Sequence, residues 1–88
     1  MKVFRVAYSS EFKSGYAFWQ ANDERKCKKI DELIKDTSTN PFKGIGKPEP
    51  LKHTLAGCWS RRIDQEHRLV YQIKGDGITF LQCRRHYD

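Results

Sequence analysis

Cys58-Trp59-Ser60-Arg61-Arg62-Ile63-Asp64, His67-Arg68-Leu69-Val70-Tyr71-Gln72-Ile73-Lys74 and Gly77-Ile78-Thr79-Phe80-Leu81-Gln82-Cys83-Arg84-Arg85 are three consecutive runs with β character. Lys74-Gly75-Asp76-Gly77 joins the last two as a tight hairpin. Before them, residues 37–50 hold all three prolines and two of the six glycines, which makes a loop. A loop of that length in so short a chain points to function. Leu51–Leu55 can add a short strand. Earlier still the period changes. Cys27, Ile30, Leu33 and Ile34 form one helical stripe that Asp23 can cap, and Glu24–Lys28 and Asp31–Lys35 are i,i+4 pairs on its other side. Phe12, Tyr16 and Trp19 form the stripe of a preceding helix, with Ser9 or Ser10 as its N-cap. Residues 3–8, Val-Phe-Arg-Val-Ala-Tyr, read as a first strand. The order β-α-α-β-β-β defines an α+β domain, with two N-terminal helices packed on a mostly antiparallel sheet.

The chain of 88 residues supports a single domain spanning 1–88. Its hydrophobic content of 38% and its spread of aromatics exclude a disordered tail. No apolar run approaches the roughly 20 residues of a membrane span, and the N-terminus has no signal-peptide pattern. A cytoplasmic protein without a membrane partner is expected. Cys27, Cys58 and Cys83 are an odd number at wide spacing, with no Cys-x-x-Cys, so neither a disulfide framework nor a zinc site is indicated. Each reads as a small buried apolar residue. Lys and Arg outnumber Asp and Glu by 17 to 11, a net charge of +6 that calls for an anionic partner, nucleic acid or acidic protein.

Strand alternation sorts the later charges by face. Trp59, Arg61 and Ile63 share one side, and Ser60 and Arg62 the other. Leu69, Tyr71 and Ile73 lie opposite Arg68 and Val70. Ile78, Phe80, Gln82, Arg84 and His86 have one parity, and Leu81, Cys83, Arg85 and Tyr87 the other. Arg61, Arg62, Arg68, Arg84 and Arg85 fit either a solvated basic face or one that holds phosphate through planar guanidinium forks. The loop adds Lys47, Glu49, Lys52 and His53. Glu49 has two readings, a surface ion pair or a proton acceptor at a cationic site. His67 starts a strand after a turn and reads as structural or exposed. His86 and Tyr87 follow directly on a strand, unlike an ordinary frayed tail. A carboxylate, a histidine and several guanidiniums suit RNA cleavage by its own 2′-hydroxyl, with one group taking the proton, the guanidiniums holding the phosphate and an acid protonating the leaving oxygen. No cofactor or metal is called for, since the carboxylates are not clustered as in a two-metal nuclease.

Residues 40–53, Asn-Pro-Phe-Lys-Gly-Ile-Gly-Lys-Pro-Glu-Pro-Leu-Lys-His, are followed by Gly57-Cys58-Trp59-Ser60-Arg61-Arg62-Ile63 and Glu66-His67-Arg68-Leu69-Val70-Tyr71. With Lys29–Thr37 and the terminal His86-Tyr87, these blocks resemble the YoeB/Txe toxins of bacterial type II toxin–antitoxin systems, within the RelE superfamily. The resemblance covers nearly the whole chain and is loosest over the first 20 residues. It implies a microbial-ribonuclease-like α+β fold, and a metal-independent endoribonuclease that cleaves mRNA in the A site of the 70S ribosome. It places the general base on Glu49, the general acid on His86, the phosphate-binding arginine on Arg68 with Arg62 in support, a terminal tyrosine on Tyr87 and a basic RNA contact on Lys52. Its implied partner is a YefM/Axe-like antitoxin whose acidic C-terminal segment wraps the toxin and which co-represses the operon, and family members are commonly dimeric. The chain departs from the family pattern at Arg85 and at the additional Asp88. Two other functions fit the basic face alone: a non-catalytic RNA-binding module, and a regulatory module that acts only through its antitoxin.

Overall fold

A computed structural model describes residues 4–52 and 56–84. The element order is β1 (Arg5–Tyr8), α1 (Ser10–Asn22), α2 (Glu24–Thr39), β2 (Glu49–Pro50), β3 (Cys58–Arg62), β4 (Arg68–Lys74) and β5 (Gly77–Gln82). The strands form one sheet in the order β1-β5-β4-β3-β2, antiparallel except for β1, which runs parallel to β5. The two helices pack on this sheet, giving the expected α+β architecture. No helix among the described residues is long and apolar enough to cross a membrane.

The helices start where capping chemistry allows. Ser9 has extended backbone, and its hydroxyl accepts from the Phe12 amide at 3.0 Å. Asp23 ends α1 and begins α2, its carboxylate accepting from the Arg25 amide at 3.1 Å. Phe12 and Trp19 of α1 and Cys27, Ile30 and Leu33 of α2 are buried against Leu69, Tyr71, Ile78 and Phe80 of the sheet. All three cysteines are buried and free, and burial pushes the Cys83 thiol up to about 12. The i,i+4 pairs expected on α2 are absent from the ion pairs among the described residues. Asp31 instead accepts from the Tyr16 hydroxyl at 2.8 Å, and Lys26 reaches Asp64 at 2.8 Å.

Four details differ from the sequence expectations. Helix α2 runs on to Thr39, into the segment expected as loop, and the Thr37, Ser38 and Thr39 hydroxyls are accommodated there by donating to carbonyls one turn earlier. The extra strand is Glu49–Pro50, inside the expected loop, rather than Leu51–Leu55. Leu51 and Lys52 are not strand, and residues 53–55 lie outside the described residues. Pro48 and Pro50 lack N–H groups, so only the Glu49 and Leu51 amides remain to face β3, and Leu51 donates to Cys58 at 2.9 Å. β5 ends at Gln82 rather than Arg85. Finally, Tyr71 pairs with Phe80 but Val70 pairs with Gln82, so Leu81 is an extra, bulged residue. The bulge breaks the simple alternation: Gln82 joins the side of Val70, and Cys83 turns into the core.

Candidate active site

Strand register places Glu49 opposite Ser60, Ser60 opposite Val70, and Arg62 opposite Arg68. These side chains share the sheet face turned away from Arg61, Leu69 and Tyr71, which join the helix-side packing. On that face Arg68 Nη1 donates to Glu49 Oε1 at 2.7 Å and to Ser60 Oγ at 3.3 Å. The Arg68 side chain is largely covered, at 16% exposure, whereas the Glu49 side chain is open at 56%. A short edge strand thus presents a carboxylate to solvent with a guanidinium fixed behind it. Arg62 is exposed across the β3–β4 pair from Arg68, and Lys52 is exposed two residues beyond β2.

The structure corrects the expected RNA contact at Arg61. This side chain is fully buried, and each of its five N–H groups has an acceptor. Nε donates to Tyr71 Oη (3.2 Å), Nη1 to Asp36 Oδ2 (2.6 Å) and Ile45 O (3.2 Å), and Nη2 to Asn40 O (2.6 Å) and Lys43 O (3.1 Å). Tyr71 Oη in turn donates to Pro41 O at 2.7 Å. Arg61 therefore faces the helix side and gathers residues 40–45 against α2, with no N–H left for phosphate. The Ile45 amide and the Arg61 guanidinium hold the Asp36 carboxyl below its ordinary value. Gly46, with φ +79°, lets the chain pass tightly between Leu33 and Arg61, where a Cβ would meet Leu33 Cδ2 at 2.7 Å. Its carbonyl then accepts from the Arg62 amide at 2.7 Å, three residues before Glu49. The clamp thus belongs to the support of the Glu49 strand.

Arg84 is exposed, and its guanidinium carbon lies 3.5 Å from the Phe18 ring centroid of α1. His67, read from sequence as structural or exposed, is half-buried. Its Nδ1 bonds the Arg84 carbonyl and its ring stands edge-on to Trp19 at 4.9 Å. No spacing rule signals that contact, because it joins a turn to the end of another strand. The remaining sequence candidates, His53, Arg85, His86 and Tyr87, lie outside the described residues. Among the described residues no group of three or more His, Cys, Asp or Glu could hold a metal ion.

A small basic α+β domain thus carries a carboxylate–guanidinium pair on the sheet face away from its helices. The profile of the YoeB-like toxin of bacterial type II toxin–antitoxin systems matches residues 8–87. Toxin YoeB of Escherichia coli (strain K12) is 54% identical over 83 residues, 94% of this chain and 99% of that protein. The structure of the YoeB/ParE toxin from Agrobacterium tumefaciens matches with a TM-score of 0.87 at 44% identity, covering 96% of this chain and 100% of that one. YoeB from Staphylococcus aureus, solved as a dimer, matches with a TM-score of 0.86 at 42% identity over 96% of this chain and 98% of that one. The same toxin solved in complex with YefM matches at 0.82 and 41% identity, with the same coverage. The chain belongs to the YoeB-like toxin family of type II toxin–antitoxin systems.

Proposed function

We propose that this toxin is a ribosome-dependent endoribonuclease that cleaves mRNA in the ribosomal A site and so halts translation and growth. Glu49 takes the proton of a ribose 2′-hydroxyl, and the 2′-oxygen attacks the adjacent phosphorus. The bond to the 5′-oxygen breaks, His86 gives that oxygen its proton, and the products are a 2′,3′-cyclic phosphate and a 5′-hydroxyl. Arg68, with Arg62 opposite it, meets the charge that builds on the phosphoryl oxygens. Lys52 and Arg85 extend the cationic surface along the RNA, and Tyr87 stacks on a base. Proton transfer and charge stabilisation both come from side chains, so the reaction uses no metal.

The observation that carries this reading is the 2.7 Å pair of Arg68 and Glu49 on the sheet face away from the helices. It supports the reading because the carboxylate taken as proton acceptor and the guanidinium taken as phosphate fork are neighbours on one exposed face. The partner follows from the Staphylococcus aureus relative, which assembles with YefM: a cognate antitoxin with an acidic segment that folds over this basic toxin and neutralises it, with dimerisation of the toxin as in that relative.

Glu49→Gln keeps shape but removes the base, and should lower cleavage on programmed ribosomes by about 10²–10⁴-fold while ribosome binding persists. Arg68→Lys exchanges a fork for a point charge and should also be strongly impaired. A Gln variant that cleaves at the wild-type rate would move the base elsewhere. Absence of growth arrest on expression without the antitoxin would remove the toxin activity itself.

A further inference from the structure

The segment that leads to the C-terminus is gripped from two sides. At the N-cap of α1, the Ser9 amide donates to Phe80 O at 3.0 Å and the Ser9 hydroxyl to Leu81 O at 2.6 Å. Trp19 Nε1 donates to Cys83 O at 2.9 Å, in the interior. The Arg84 guanidinium lies over Phe18. Gly15 makes room for this approach, since a Cβ there would come within 3.2 Å of Cys83 Sγ and 3.3 Å of Arg84 Cβ. On the opposite side His67 Nδ1 bonds the Arg84 carbonyl. Two successive carbonyls, of Cys83 and Arg84, are thus each taken by a ring N–H, and the two rings brace each other edge to face at 4.9 Å and 82°.

His67 is itself rigidly mounted. Its amide donates to Asp64 Oδ1 at 2.6 Å, and its carbonyl accepts from the Ile63 amide at 2.9 Å. Asp64 Oδ2 is anchored to Lys26 of α2 at 2.8 Å. A carbonyl only accepts, so the contact requires a proton on Nδ1, which the neutral Nδ1–H tautomer and the imidazolium both supply.

We propose that His67 is a positioning residue for RNA cleavage: by holding the Arg84 carbonyl it fixes the peptide plane from which the chain continues towards His86. This rests on the reading of His86 as general acid. Filling space alone would need only the ring, whereas positioning needs the donor at Nδ1. Phenylalanine keeps the ring and loses the donor. Asparagine loses the ring but places an N–H donor close to the Nδ1 position.

The test compares His67→Phe and His67→Asn as full-length toxins on programmed ribosomes. The expected result is a kcat lowered by about 10²-fold in the Phe variant with KM unchanged, and recovery of most of that loss in the Asn variant. A Phe variant at the wild-type rate, or an Asn variant no better than Phe, overturns the proposal. A second readout is independent of activity. The ¹³C shift of the Arg84 carbonyl should move in His67→Phe and return in His67→Asn, and an unmoved shift in the Phe variant overturns the anchor. If the wild-type protein cuts no RNA while the carbonyl shifts follow this pattern, the ribonuclease reading fails and the anchor stands as a structural one.

Discussion

A guanidinium with every N–H matched inside a protein is a fixed point for the chain around it, and Arg61 fixes the segment that precedes Glu49. Replacing it by Met leaves Asp36 and four other acceptors without their donor. The expected cost is about 3 kcal/mol, the low end for removing one partner of a buried pair, because Asp36 keeps some access to water. Arg61→Lys should recover only part of this, since three donors replace five. Urea denaturation measures both, and a loss of less than about 0.5 kcal/mol for Arg61→Met, the size of an ordinary surface change, would refute the clamp. Asp36 carries a pH signature. The Ile45 amide and then Arg61 lower its folded pKa, so its contribution is present above the unfolded value of about 3.9 and disappears as pH falls through the folded value. Wild type should therefore lose stability faster than Asp36→Asn as pH falls below roughly 4, read as urea midpoints along a pH series, and parallel curves would contradict this. Arg61 and Arg62 are adjacent and chemically identical, so composition cannot separate them. Alternation does place Arg61 with Trp59 and Ile63 on the apolar side, and that was the legible clue to its burial.

At the scale of elements, the helices were readable because Phe12 and Trp19, and Cys27, Ile30 and Leu33, repeat at helical spacing and are buried as that spacing demands. The short strand β2 was not readable, because Glu49-Pro50, two residues of which one is proline, carry no period and take their strand character from β3. The bulge at Leu81 was equally silent, since nothing in Phe80-Leu81-Gln82 distinguishes a bulged residue from a paired one. The Glu49–Arg68 pair joins residues the family blocks had singled out, whereas the His67 contact with Arg84 depends on the tertiary path alone. The loop between α2 and β2 makes a coupling prediction. Gly44 has φ +135°, and a Cβ there would stand 1.8 Å from Asp36 Oδ2, so Gly44→Ala must displace the carboxylate from Arg61. In an Asp36→Ala background that clash is gone, leaving the backbone strain and a 3.0 Å approach to Arg61 Nη1. A double-mutant cycle on stability should show coupling of about 1 kcal/mol or more, and strict additivity would show that Gly44 does not act through Asp36.

For the whole molecule, the charge surplus of +6 is the property a partner meets first. Ion pairs among the described residues engage Arg5, Lys26, Arg61 and Arg68, and leave Arg62 and Lys52 exposed to polyanions. Three phosphate contacts, from Arg68, Arg62 and Lys52, correspond to a log–log salt slope of about −2 on single-stranded RNA. Ribosome binding by the Glu49→Gln variant should show at least that slope, and a flat dependence would remove these residues from RNA contact. Binding of an acidic antitoxin segment should raise the melting temperature in proportion to the logarithm of excess antitoxin. A melting point insensitive to antitoxin would mean that the complex does not select the folded toxin.

The parallel pairing of β1 with β5 also has a place in time. Synthesis delivers Arg5–Tyr8 first and Gly77–Gln82 last of all the strands, and Ser9 finds its carbonyl partners only at Phe80 and Leu81. Until then the nascent chain has a strand with no neighbour and a helix whose start is only half secured, and contacts so distant in sequence form late. A chain cut short before Gly77 would therefore lack both the neighbour of β1 and the carbonyl acceptors of Ser9.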